Sequence, residues 1–253
     1  MTSWFDGTDP ADQHGPRLFC FPHAGGGGRF FHPWRRLLAP DLTVRPVVPP
    51  GREGRFGERA YDRMELLVEG LVEAVRPELD RPFVFFGHSL GAAVAYETAV
   101  RLRQLGLPEP SCLVVSGRRA PHLPLPPPYL HLMDDDQFIA EVIRLGGTPA
   151  TILDRPQVLK FYLPTLRADY ELNEVYRPTL GRPLSCPVFG YAGDADPIGE
   201  PADVAAWKAV SSGPFAARVF AGAHFYLKDR SEEVLAALRK DLAVASVGVT
   251  AQN

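Results

Sequence analysis

Lysine is scarce in this chain. Only Lys160, Lys208, Lys228 and Lys240 occur, so arginine supplies the rest of the 27 basic side chains in 253 residues. The bias fits a GC-rich coding genome and carries no function by itself. Neither sign of charge dominates, because 30 acidic side chains leave a net charge of −3. The basic excess that a nucleic-acid partner demands is therefore missing. No apolar run approaches the ~18 residues of a membrane-spanning helix, and the polar stretch Met1 to Arg17 lacks the apolar core of a secretory signal. Cysteine is limited to Cys20, Cys112 and Cys186. An odd number, each in or beside an apolar strand-like run, reads as buried free thiols in a reducing cytoplasm. Disulfides and metal ligation are not expected. Repeats, charge blocks and low-complexity tails are also absent.

What is present is enough apolar material for a full core, 45% of the residues, and an alternation of strand and helix patterns. Strand-like runs fall at 17–21, 42–48, 82–86, 111–116, 187–191 and 217–220. Pro46 in the second of them suggests an edge or a bulge. Helical patterns lie between them, the clearest at 62–79, where Met64, Leu67, Leu71 and Val75 are spaced three and four apart. This rhythm predicts an α/β fold, a mostly parallel sheet with helices on both faces. Residues 121–182 break it. A Pro-rich link there leads into two helical patterns, at 134–145 and 156–177, without a strand. The expectation is one domain over 1–253, with 121–182 as a helical lid inserted over the C-terminal ends of the strands.

The chemistry centres on Gly87-His88-Ser89-Leu90-Gly91. A short apolar strand precedes this G-x-S-x-G and a buried helix follows, the context of a nucleophile elbow with Ser89 at its apex. A serine needs a base, and the base an orienting acid, in the chain order serine, acid, histidine. The acid lies in Gly193-Asp194-Ala195-Asp196. Asp196, further from the strand end, is favoured over Asp194, which suits a turn-bracing role. Among seven histidines, His224 alone follows the acid at a strand end. His23, in the glycine loop, is the main rival and otherwise braces that loop. His88 is expected to point away from the site. The oxyanion needs N–H donors. One is expected from Leu90, directly after the nucleophile, and the second from the loop 23–28. That glycine-rich loop is not a phosphate cradle, since no Gly-Lys-Ser/Thr follows and no dinucleotide G-x-G-x-x-G is completed.

Several motifs together resemble one family. They are Phe21-Pro22-His23-Ala24-Gly25-Gly26, Pro50-Gly51-Arg52-Glu53, the Ser89 elbow through Ala92, Ser116-Gly117-Arg118-Arg119-Ala120-Pro121, Leu163-Pro164-Thr165-Leu166-Arg167-Ala168-Asp169-Tyr170, Gly193-Asp194-Ala195-Asp196 and Gly222-Ala223-His224-Phe225. In this order they resemble the type II thioesterases that accompany polyketide synthases and nonribosomal peptide synthetases, from about Arg17 to Leu242. The resemblance implies an α/β-hydrolase fold and hydrolysis of acyl groups stalled on the phosphopantetheine arm of carrier proteins. It implies Ser89, Asp196 and His224 as the triad, with Ala24 and Leu90 as oxyanion donors. No metal or bound cofactor is implied, because the phosphopantetheine belongs to the substrate. A second glycine is common in the family where Ala223 stands. Initiation at Met1 favours a free-standing protein, and a monomer is expected. Two other readings stay open on the residues: another serine hydrolase, such as a lipase-like esterase or an acyltransferase, and a non-catalytic binding protein of the same fold.

Two further expectations concern the approach to the site. Arg118 and Arg119 follow a strand directly, and Arg52 follows another, so all three are placed near the C-terminal face of the sheet. There they could steer an acidic carrier domain, or else serve as solvated or internally paired charges. In the lid, Leu159, Leu163, Leu166 and Tyr170 form one helical stripe, with Phe161 and Tyr162 off it. Phe161 and Leu166 are expected to line an acyl pocket, unless both faces are buried in the insertion's own core. Pro164 is expected to kink the helix near Lys160.

Overall fold

The structure is a computed structural model that describes residues 3–5, 15–125, 127–147 and 156–250. Its strands are β1 (Arg17–Phe21), β2 (Thr43–Pro46), β3 (Phe83–His88), β4 (Cys112–Ser116), β5 (Val188–Gly193) and β6 (Phe215–Phe220). They join in the order β2-β1-β3-β4-β5-β6, with every neighbouring pair parallel. Pro46 accordingly sits on an edge strand, where its missing N–H costs no ladder bond. Near the amino terminus, Phe5 makes an isolated antiparallel bridge to Val47.

The inner strands read as continuous apolar runs because both faces of the sheet are covered. Side chains alternate between two cores. Phe19, Phe21, Phe83, Phe85, Leu113 and Val115 face one, which is closed by α2 (Met64–Val75) and α3 (Leu90–Gln104). Leu18, Cys20, Val84, Phe86, Cys112 and Val114 face the other, closed by α1 (His32–Leu38) and a long C-terminal helix, Ser231–Thr250. All three cysteines are buried and unpaired. No helix among the described residues is long and apolar enough to cross a membrane.

Between β4 and β5 the chain forms α4 (Asp135–Leu145) and α5 (Pro156–Val175). Asp134 caps α4 by accepting a hydrogen bond from the Gln137 N–H at 2.9 Å, and Gly146 ends it in the left-handed region with φ 77°. α5 continues through Pro164. The two helices share a small core in which Phe138, Val142 and Leu166 are buried and Leu163 and Tyr170 pack alongside. α6 (Pro201–Ala205) and α7 (Tyr226–Asp229) follow β5 and β6.

Topology places the site. The chain leaves β1 for β2 on one side and then returns to β3 on the other. The loops after β1 and β3 therefore diverge, which opens a crevice at the carboxyl ends of the strands. The first loop carries His23 and Ala24, and the second carries Ser89.

Candidate active site

Ser89 stands at the end of β3 with φ 55° and ψ −120°, a strained conformation for a non-glycine residue. Its N–H is held by the Ser116 carbonyl at 2.8 Å, and its own carbonyl accepts from the Ala92 N–H at 3.0 Å. The glycines flanking the turn have a steric reason. A Cβ on Gly87 would collide with the Gly91 carbonyl, and one on Gly91 would collide with the Phe21 carbonyl. The backbone is thus pinned on both sides of the serine. The Leu90 N–H, at the first turn of α3, has no partner within the helix.

His224 lies after β6 and is buried, as is Asp196 after β5. The His224 Nδ1 is 2.8 Å from Asp196 Oδ2. The other oxygen, Asp196 Oδ1, accepts from the Ile198 N–H at 2.9 Å and the Gly199 N–H at 3.2 Å, so the carboxylate is fixed at both oxygens. Asp194 is exposed and spans the loop instead, accepting from the Gly222 N–H at 2.8 Å. Ser89, His224 and Ala24 line one cavity of about 260 Å³. The structure therefore brings together the serine, the histidine, the aspartate and the loop residue singled out in the sequence.

The other two histidines of this region play supporting parts. His88 is fully buried, with Nδ1 at 2.9 Å from Ser116 Oγ, which in turn lies 2.6 Å from the Tyr226 hydroxyl. Its ring sits 4.9 Å from that of His224. His23 is wedged between Phe30 and Phe225, with ring centroids 4.9 and 4.8 Å away. Burial, reinforced by the charges of His224, Lys228 and Arg52, pulls the His23 pKa down to about 3. Burial likewise holds the His88 pKa well below its ordinary value. His23 is thus a weak base with no carboxylate hydrogen-bonded to it among the described residues.

These two rings give a pH prediction. In the unfolded chain both bind a proton near pH 6.5, whereas in the folded chain they do not. Stability is therefore complete at neutral pH and falls as pH drops through 6.5. Together they are expected to remove about 2–3 kcal/mol between pH 7 and 5.5. Urea unfolding across that range checks it; a flat profile would mean that neither ring is held neutral.

The loop after β1 is held from the lid. Asp169, on α5, accepts from the Gly25 N–H at 2.7 Å and pairs with both terminal nitrogens of Arg52 at 2.6 and 2.8 Å. Arg52 also donates to the carbonyls of Gly26 and Pro50. Leu166 presses on Gly25, where any Cβ would meet its side chain. Arg52 is only 3% exposed, so it is an internal strut and not a docking residue. Arg118 is likewise buried. It donates to the Asn173 Oδ1 and lies 5.8 Å from the Tyr176 ring, and burial lowers its pKa to about 10. Arg119 pairs with Asp203 at 2.5 Å and donates to the Pro124 carbonyl at 2.6 Å. All three arginines lie near the carboxyl ends of the strands as expected, but each is committed to a partner inside the molecule.

Removing one member of a buried ion pair strands the other charge, which costs about 3–5 kcal/mol. Asp169→Ala is expected to destabilise the protein by that amount in urea melts. It is also expected to slow carrier-bound and small thioesters by the same factor. A loss confined to carrier-bound substrate would restore a docking role to Arg52.

The acyl-lining expectation also needs correction. Phe161 is 70% exposed, and Leu166 is buried between α4 and the Gly25 loop. Neither lines the cavity. Leu163, Leu166 and Tyr170 of the helical stripe pack against α4 within the insertion, and Tyr170 also reaches the cavity. The wall beside Ser89 comes from the Pro-rich link (Leu125, Pro127, Pro128), the end of α4 and the face of α5 that carries Tyr170 and Asn173. The Arg52–Asp169 strut was missed in the sequence, because its members stand 117 residues apart and no local pattern links them.

Comparison with known proteins extends this geometry. The family model described as "Thioesterase domain" matches residues 16–242. The thioesterase PikA5 of Streptomyces venezuelae is 41% identical over 232 residues, covering 91% of this chain and 82% of that one. The gramicidin S biosynthesis protein GrsT of Aneurinibacillus migulanus is 33% identical, over 96% and 94% of the two chains. Among solved structures, the type II thioesterase BorB from the borrelidin biosynthetic cluster superposes with a TM-score of 0.86 at 35% identity, over 95% and 98% of the chains. With its parallel sheet, its serine elbow and these relatives, the chain belongs to the thioesterase family, as a type II thioesterase of the α/β-hydrolase fold.

Proposed function

We propose that this enzyme hydrolyses acyl groups from the phosphopantetheine arm of carrier proteins in polyketide or nonribosomal peptide assembly, with Ser89, His224 and Asp196 as its triad. The observation that carries the mechanism is the fixed His224–Asp196 pair facing the same cavity as Ser89. Asp196 accepts a hydrogen bond from the Nδ1–H of His224 and so leaves Nε2 free to act as base. Nε2 takes the Ser89 proton as Oγ attacks the thioester carbonyl. The Leu90 and Ala24 N–H groups donate to the developing oxyanion. On collapse the C–S bond breaks, and the thiolate of the arm leaves with the proton from His224. Water, activated by the same nitrogen, then attacks the acyl-enzyme ester and releases the carboxylic acid with free Ser89. Residues 121–182 act as the lid within one domain. The buried free cysteines support a cytoplasmic setting, and the reading is of a monomer.

The test is a panel of acyl-loaded carrier proteins compared with oxygen esters of equal acyl length. Higher kcat/KM on the carrier thioesters supports the proposal. Preference for the oxygen esters would make the enzyme an esterase, and transfer of the acyl group to a second acceptor would make it an acyltransferase. Failure of Ser89 to react with a fluorophosphonate would remove the nucleophile.

A further inference from the structure

The cavity beside Ser89 has mostly apolar walls; apart from Ser89 and the two histidines, its polar side chains are Arg119, Arg144, which pairs with Glu141 at 2.8 Å, and a short stretch of α5. Tyr170, Asn173 and Glu174 line it from α5, spaced i, i+3 and i+4 on one face of the helix. Their hydrogen-bonding capacity is not equally free. Glu174 is engaged at both oxygens: it accepts from the Leu130 N–H at 2.8 Å, the His131 N–H at 3.1 Å and the His131 ring. Arg119, on the same wall, is committed to Asp203 and the Pro124 carbonyl. Asn173 gives its Oδ1 to Arg118. A guanidinium can only donate, so this contact fixes which end of the amide is which. The remaining NH₂ has no partner among the described residues. The Tyr170 ring packs edge-on against Phe138 at 5.3 Å, and its hydroxyl likewise has no hydrogen bond there. Neither group is sealed in the interior. Burial, with the nearby carboxylates of Glu174, Asp169 and Glu141, raises the Tyr170 pKa, so the phenol keeps its proton and can donate.

A saturated acyl chain filling this cavity would strip water from both donors and return no acceptor, which is the unfavourable case for buried polar groups. A chain oxygen placed against them would accept from both. A cationic chain has no free carboxylate to meet among these residues. We propose that Tyr170 and Asn173 select acyl groups carrying an oxo or hydroxy oxygen along the chain over plain acyl groups of the same length. The proposal rests on the thioesterase reading above and names the substrate class of that same site.

The experiment measures kcat/KM on N-acetylcysteamine thioesters of hexanoate and of hexanoate bearing a hydroxy group on the third carbon or an oxo group on the fifth. Wild type is expected to favour at least one oxygenated chain by about ten-fold, the worth of one or two such hydrogen bonds. Tyr170→Phe, which deletes only the hydroxyl, is expected to reduce that ratio to near one. Asn173→Asp keeps an acceptor for Arg118 but loses the amide donors, and is expected to lower the ratio in the same way. Thermal melts of both variants establish that each is folded. Equal wild-type rates on plain and oxygenated chains would overturn the proposal while leaving the thioesterase reading intact. So would a preference that survives in both variants. Failure of wild type to hydrolyse any of the thioesters would overturn both.

Discussion

Ser89→Ala is expected to lose about 10⁴-fold or more in kcat while melting at nearly the wild-type temperature, and His224→Ala is expected to match it. The fold survives because the elbow is held by backbone contacts: the Ser89 N–H to Ser116, its carbonyl to Ala92, and two glycines that leave no room for a Cβ. The serine hydroxyl is not part of that framework. Serine and histidine act as one unit, so the double variant is expected to be little worse than either single one. A residual rate above the uncatalysed one is expected to remain from the Leu90 and Ala24 N–H donors. The measurement is single-turnover hydrolysis of one acyl-carrier substrate, with circular dichroism as the control for folding. A loss below ten-fold in Ser89→Ala would mean that another group is the nucleophile.

Asp196→Asn is expected to cost about 10³–10⁴-fold, and Asp194→Asn no more than a few-fold. The difference follows from where each oxygen is spent. Asp196 Oδ1 is fixed by the N–H groups of Ile198 and Gly199. An asparagine would keep its oxygen there and turn its NH₂ towards His224 Nδ1. That nitrogen must then accept, the ring proton moves to Nε2, and the base is protonated where it has to receive the Ser89 proton. Asp194 uses its Oδ1 only to hold the Gly222 N–H, which an asparagine oxygen can also do. Parallel kcat/KM values for the two variants decide the matter. Reversed losses would assign the acid to Asp194.

The strand and helix order was legible because both sheet faces are buried. A strand covered on both sides shows an uninterrupted apolar run, as β1, β3, β4 and β5 do, whereas the edge strands β2 and β6 are interrupted by Arg45 and Arg218 and β6 is largely open to solvent. The limits of β3 were less clear. Gly87 and His88 look like the start of a turn, yet His88 still pairs with Ser116 in the sheet. The residues of the proposed triad are legible because Ser89, Asp196 and His224 each follow a strand end in that order. The arginines and the lid were read less well for one shared reason. Sequence shows that a side chain is charged or apolar, but not what meets it. Arg118, at the end of β4, has the same local pattern whether it faces solvent or Asn173, and Phe161 has the same spacing whether it is covered or bare.

α5 has a practical consequence for anyone who would redesign this enzyme. On one part of its surface Leu166 and Asp169 clamp the Gly25 loop, and on another Tyr170 and Asn173 wall the cavity. Grafting the whole helix from a relative would therefore exchange two properties together: the fit of the acyl chain and the alignment of the loop that carries Ala24. Chimeras built at helix boundaries are expected to lose speed whenever they change selectivity. Libraries that hold Arg52, Leu166 and Asp169 constant and vary Tyr170, Asn173 and the Leu125–Pro128 link can vary the first property without disturbing the second.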